Sequence, residues 1–277
     1  MTGSSWIRGI RLGVTVIAVA ASAPLAALAT TPIATTPPPP APAKAAAPKT
    51  PTHSPAAPLD PSAVAALVRM SAYLRGVQAF QVRMATQKDD VDIYGQLITL
   101  NGETTYKVRS RDAFSIHVSE PAKIRQYVYD GNSLVVYDFR TGFYTRFHAP
   151  PTIRQTLDLA ADAYRVTLPL DDLFNWDQGD AKTNKLTSAH YIGPVTLSGQ
   201  AADHYAYRQP GVDWQIWIAR GDKPVPLRVV IVSTTDPARP QFQGDLTWDT
   251  SPRFAAGDFD FRPPANARAI PIRSYAR

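Results

Sequence analysis

The stretch Asp203–Ser233, DHYAYRQPGVDWQIWIARGDKPVPLRVVIVS, decides the fold. Tyr205, Tyr207, Trp214, Ile216, Trp217 and Ile218 are the aromatic and β-branched side chains that suit a pleated, half-buried surface. Gln209-Pro210-Gly211 and Arg220-Gly221-Asp222 supply two reversals. The stretch therefore predicts three antiparallel strands in a meander. Side chains alternate across a strand, so Trp214, Ile216 and Ile218 share one face and Trp217 takes the other. Val229–Val232 is apolar on both faces, which predicts a strand covered on both sides or lining a cavity.

Working outward, the flanking strands are expected at Ser188–Val195, Gln200–Gln209, Asp213–Ala219, Leu227–Thr234 and Gln241–Thr250, with a short terminal strand around Phe259–Phe261. Upstream, a helix is expected from Pro151 to about Tyr164, with Ile153, Leu157, Ala160, Ala161 and Tyr164 on one side, and a shorter helix at Leu170–Trp176. Six further strands precede these: Phe80–Thr86, Gln96–Val108 with a bend at Asn101-Gly102, Phe114–Val118, Arg125–Tyr129, Leu134–Tyr137 and Phe143–Phe147. The domain opens with a helix. Asp60 is a good N-cap and Pro61 a good first residue, Val64, Leu67, Val68, Ser71 and Leu74 recur at helical spacing, and Gly76 ends the run. The fold class is mainly β (α+β): a half-open antiparallel barrel or strongly curved sheet of about eleven strands with helices on the concave side.

The first sixty residues stand apart. Arg8 and Arg11 precede an apolar run, Leu12–Leu28, and Ala27-Leu28-Ala29 has the small-x-small pattern of a signal peptidase site. Residues 1–29 are thus expected to be a cleaved secretory signal peptide, cut after Ala29 or, as second choice, after Ala23. The alternative, an uncleaved anchor, meets an apolar run short of the roughly 20 residues that span a bilayer. Residues 30–58, rich in Pro and Ala with Pro37–Pro40 in one run, are expected to form a disordered linker, and 59–277 a single periplasmic domain. No stable membrane span is expected after cleavage. The chain has no cysteine, which excludes disulfides, thiolate metal sites, a thiol nucleophile and a lipid-modified N-terminal cysteine.

Charge excludes a second class. Residues 1–59 hold four of the 29 basic residues (Arg8, Arg11, Lys44, Lys49) and none of the 23 acidic ones, leaving the domain with 25 basic residues and a formal charge of +2. Those basic residues are dispersed among acids, which argues against nucleic acid.

Several motifs occur in order: Asp60-Pro61, Arg69-Met70, Tyr73-Leu74, Tyr129-Asp130-Gly131, Tyr137-Asp138, Leu168-Pro169-Leu170, Tyr191-Ile192-Gly193-Pro194, Asp203-His204, Arg208-Gln209, Val212–Ile218, Pro240-Gln241, Phe261 and Pro263-Pro264. Together they resemble the family of predicted periplasmic proteins of Gram-negative bacteria known as domain of unknown function 2092, which is grouped with the lipoprotein carriers LolA and LolB. The resemblance covers essentially all of 59–277, and its tryptophan-bearing motif is the specific part. Ala202 stands where many members have cysteine, and Phe139 where a proline usually follows the aspartate. The resemblance implies a helix-capped half-barrel with an apolar cavity for acyl chains; it implies no catalytic residue and no cofactor.

The residues themselves point to binding by area burial. Phe80, Val82, Met84, Ile153, Leu157, Trp214, Ile216 and Ile218 are the candidates for lining a ligand cavity, and the competing reading makes them core. The expected partner is a hydrophobic small molecule, lipid or lipoprotein acyl chain. The alternative is an envelope interaction or sensor module that holds a protein partner. Enzymatic readings find little support. Asp203 and His204 are strand neighbours that point to opposite faces, with no serine elbow nearby. Asp89, Asp90 and Asp92 lack the glycine and distal glutamate of a calcium loop, and Asp171-Asp172 and Asp258/Asp260 read as caps or turns. His117, His148 and His190 lie on separate elements without metal-ligand spacing. A non-enzyme with neither metal nor cofactor is expected.

Overall fold

The computed structural model describes residues 59–109, 112–166, 168, 185–255 and 257–274. The expected signal peptide, the whole expected linker, the Leu170–Trp176 helix and Asp171-Asp172 lie outside the described residues.

Helix α1, Pro61–Gly76, begins where Asp60 Oδ1 accepts a hydrogen bond from Ser62 N at 2.8 Å. Its buried row is Ala63, Ala66, Leu67, Met70 and Leu74. This corrects the expected stripe: Val68 is exposed, and Val64 and Ser71 sit at the margin. Two alanines let the helix approach the sheet closely, and the long Met70 fills the space between. Helix α2, Ile153–Tyr164, is capped by Thr152 and buries Ile153, Thr156, Leu157, Ala160 and Ala163.

The strands are β1 Ala79–Val91, β2 Leu97–Arg109, β3 Ala113–Glu120, β4 Lys123–Tyr129, β5 Ser133–Asp138, β6 Phe143–His148, β7 Ser188–Leu197, β8 Gln200–Gln209, β9 Val212–Ala219, β10 Pro226–Ser233, β11 Gln241–Asp249 and β12 Arg268–Ala269. They form one 12-stranded sheet in the order β12-β6-β5-β4-β3-β2-β1-β11-β10-β9-β8-β7. All neighbours are antiparallel except β12, which runs parallel to β6. The opening stretch is β8-β9-β10, and its first reversal places Gly211 at φ +84°, a backbone region that glycine enters without steric cost.

One expected strand fails. No strand forms at Phe259–Phe261: consecutive turns, Asp258 N to Ala255 O and Asp260 N to Gly257 O, occupy that segment, and the short final strand lies later, at Arg268–Ala269. Phe261 is buried by ring packing, 5.5 Å from Tyr137 and 5.4 Å from Tyr144, rather than by a ladder. At Asn101-Gly102, β1 and β2 stay paired without interruption through Thr86↔Gly102. Glycine stands there for space: a Cβ would lie 2.9 Å from the Ser119 carbonyl oxygen.

Register carries one apolar face across the sheet. Met84 faces Thr104 on β2 and Leu246 on β11, Val82 faces Tyr106 and Trp248, and the row continues through Ile116 on β3 and Tyr127 on β4. In the other direction Val229 faces Ile216, and Ile216 faces Tyr205. Most of these residues and of the buried rows of both helices belong to a single core. Twelve strands at about 4.8 Å spacing would span roughly 50 Å if flat. Two helices, each about 10 Å wide, could not close so wide a face. The sheet therefore curls around them as an open half-barrel. Its edges, β7 and the β6/β12 side, do not pair with each other.

Candidate binding groove at one end of the sheet

All eight candidates, Phe80, Val82, Met84, Ile153, Leu157, Trp214, Ile216 and Ile218, belong to that single core, and none is more than 6% exposed. The strand residues among them share the inner face, and Ile153 and Leu157 come from α2. Trp214 stacks on Tyr207, ring centroids 4.2 Å apart, and the Tyr207 hydroxyl donates to the Ala63 carbonyl of α1 at 2.8 Å. Burial raises the Tyr207 phenol pKa well above its ordinary value, so it remains a donor.

Trp217 occupies the outer face. It lies flat on His204, 4.0 Å between centroids, with the Arg228 guanidinium 5.8 Å from its ring. Arg228 is itself ion-paired with Asp245. The strand thus carries one tryptophan into the core and holds the other in a ladder of side chains outside.

Strand alternation separates Asp203 from His204. His204 Nε2 donates to Gln215 Oε1 at 2.9 Å, and burial lowers its pKa against the opposing effect of that hydrogen bond. Asp203, on the other face, accepts from Arg220 Nη2 at 2.6 Å and from the Tyr191 hydroxyl at 2.9 Å; the Arg220 hydrogen bond holds its carboxyl below the ordinary carboxylate range. Asp92 shapes the β1–β2 turn by accepting from Tyr94 N and Gln96 N, and Asp89 accepts from Thr99 Oγ1 and Gln241 N. Asp258 pairs with Lys107 and caps Ala255 N, while Asp260 pairs with Arg262. His117 meets Phe139 edge-on, and His190 bonds to Ser188. Among the described residues no three His, Asp or Glu side chains gather where they could hold a metal ion.

Open space lies at the end of the sheet where α1 finishes. A groove of about 360 Å³ takes its apolar lining from Leu197, Val225, Leu227, Leu246 and Trp248, and its polar lining from Ser198, Gln200, Lys223, Asp245, Thr247 and Thr250. Thr250 also borders a wider depression of about 620 Å³ beside Ala72, Tyr73, Gly76 and Val77 at the C-terminus of α1. Trp248 is the link to the interior. Its ring lies 5.5 Å from Phe80, and its Nε1 donates to the Pro226 carbonyl at 2.6 Å, which fixes its orientation. Sequence reasoning missed this groove. The alternation Phe242-Gly244-Leu246-Trp248 was visible, but that it faces the same side as Met84 and Val82 follows only from the β1–β11 register.

A family model described as predicted periplasmic protein (DUF2092) matches residues 63–273. The chain belongs to that family. No curated relative matches it. Among solved structures, the chain is similar to a LolA superfamily protein from Nitrosomonas europaea, at 11% identity over 72% of this chain and 97% of that one with a TM-score of 0.33. It is also similar to the lipoprotein LppX of Mycobacterium tuberculosis, at 12% identity over 70% and 98% with a TM-score of 0.40. A chain of the Pseudomonas aeruginosa MucA/MucB complex matches at 16% identity over 76% and 64% with a TM-score of 0.43. Likeness at this level carries neither ligand nor partner across. Among the described residues of this family member, no helix is long and apolar enough to cross a membrane.

Proposed function

We propose that this protein is a non-enzymatic periplasmic carrier that holds the apolar part of a lipid or acyl chain in the groove at the end of its curled sheet. The observation that carries this reading is Trp248, half-buried between the open groove and Phe80 of the core. The groove's size falls within the roughly 300–1,000 Å³ usual for small-molecule sites. Burial supplies affinity at ~0.8 kcal/mol per methylene, so about six methylenes contribute roughly 5 kcal/mol before the cost of immobilisation. The eight candidate residues are packed in the core, and Phe80 meets the groove through Trp248. Export through a cleaved signal peptide would bring the domain to the periplasm, with the Pro/Ala-rich segment as its N-terminal extension.

Mature protein purified without detergent should release lipid on organic extraction, and the emptied protein should take up a neutral fluorescent apolar probe. Protein that yields no lipid and binds no such probe would overturn the reading.

A further inference from the structure

The groove is apolar along one side, yet its charges do not cancel. Asp245 is fully engaged: one carboxylate oxygen pairs with Arg228 and the other accepts from Gln243 Nε2 at 3.1 Å. Lys223, which also lines the groove, makes no side-chain hydrogen bond or ion pair among the described residues. Asp222 neighbours it in sequence but does not line the groove.

The backbone at Lys223 is held in place, although its side chain is exposed. Its loop is pinned to β8 where Arg220 N donates to the Ala201 carbonyl and the Arg220 side chain grips Asp203. On the other side Val225 N donates to the Lys223 carbonyl at 2.8 Å, and Ala219 N to the Val225 carbonyl at 2.9 Å. A lysine without a partner among the described residues thus stands in an ordered loop at a groove that is apolar along one side and that Ser198 and Gln200 also line.

We infer that the groove selects amphiphiles with an anionic head, a carboxylate or a phosphate monoester, whose charge pairs with Lys223 while the tail lies against Trp248. This rests on the carrier reading above and names its ligand class. The tail supplies most of the affinity, and the head supplies selectivity, because a charge pair at a partly exposed rim is worth at most about 1 kcal/mol in water and more where the tail excludes solvent.

The test is displacement of the neutral probe N-phenyl-1-naphthylamine from the mature protein by dodecanoate, dodecyl phosphate and dodecanol, at pH 8 and low salt. The two anions should displace the probe at concentrations about tenfold lower than the alcohol, a difference of ~1.4 kcal/mol. Lys223→Met should abolish that difference, and Lys223→Arg should retain it. The ratio between the two anions identifies which head is preferred. Equal displacement by all three in the native protein, or a preference that survives Lys223→Met, would overturn the inference and leave the carrier reading standing. Failure of all three to compete, with no probe bound, would overturn the carrier reading and this inference with it.

Discussion

His204 and Trp217 lie face to face across β8 and β9, ring centroids 4.0 Å apart and planes within 9° of parallel. The stack covers one side of the imidazole, and burial there disfavours the charged ring. A histidine whose folded pKa lies below its unfolded value contributes stability that is present above the unfolded pKa of about 6.5 and lost as pH falls through the folded value. NMR titration of the His204 ring should therefore give a midpoint below that of a free imidazole. Unfolding midpoints in urea should fall between pH 7 and pH 5, and His204→Gln should flatten the slope. A midpoint at or above the free value would contradict this.

Tyr207→Phe removes the buried hydrogen bond to the Ala63 carbonyl that ties β8 to α1. The loss should be about 0.5–1.5 kcal/mol, at the lower end because that carbonyl lies within the helix and keeps an intrahelical partner. Chemical denaturation measures it directly, and an unchanged midpoint would show that the bond adds nothing.

Two strand glycines should rank clearly. A Cβ at Gly102 would stand 2.9 Å from the Ser119 backbone oxygen, whereas one at Gly244 would meet the Met84 sulfur, also at 2.9 Å, on a flexible side chain. Overpacking costs about 1–3 kcal/mol, more where backbone has to yield. Thermal melts should show Gly102→Ala as the more destabilised; the reverse order would mean that Met84 cannot repack.

Ile93 and Tyr94, at the tip of the β1–β2 hairpin, are 83% and 87% exposed. Replacing both with serine should shift stability by no more than about 0.5 kcal/mol, since neither touches the core. Val82→Ala, at a fully buried inner-face position, should cost about 1–3 kcal/mol by the same measurement. A large loss from the double variant would reveal a role for the tip in folding.

Much of the fold was legible because its signals are local. Asp60-Pro61 announces α1 through capping chemistry, and Gln200–Gln209 emerges as β8 with the expected bounds because two reversals bracket it. The alternation in Trp214–Ile218 correctly separates Trp214 from Trp217. What was misread depends on neighbours distant in sequence. Val68 suits a buried helical stripe, but the face of α1 that meets the sheet is chosen by where Ala63 and Ala66 allow close approach. Phe259 and Phe261 are strand formers by composition, yet packing against β5 and β6 buries Phe261 within a turn-rich segment.

The amino-acid sequence by itself determined the family, the β-rich class, the chain of consecutive hairpins and the split of Asp203 from His204, because capping, turn chemistry and period-two alternation act within a few residues. Only the tertiary structure decided where open space lies and what charge it carries. Trp248 reaches Phe80 through the pairing of β11 with β1, which joins residues more than 150 positions apart. Asp245 is neutralised by Arg228 on the adjacent strand, and Lys223, which lines the same groove, has no ion-pair partner among the described residues. Cross-strand register and the curl of the sheet set these relationships, and neither is written in any local stretch of the chain.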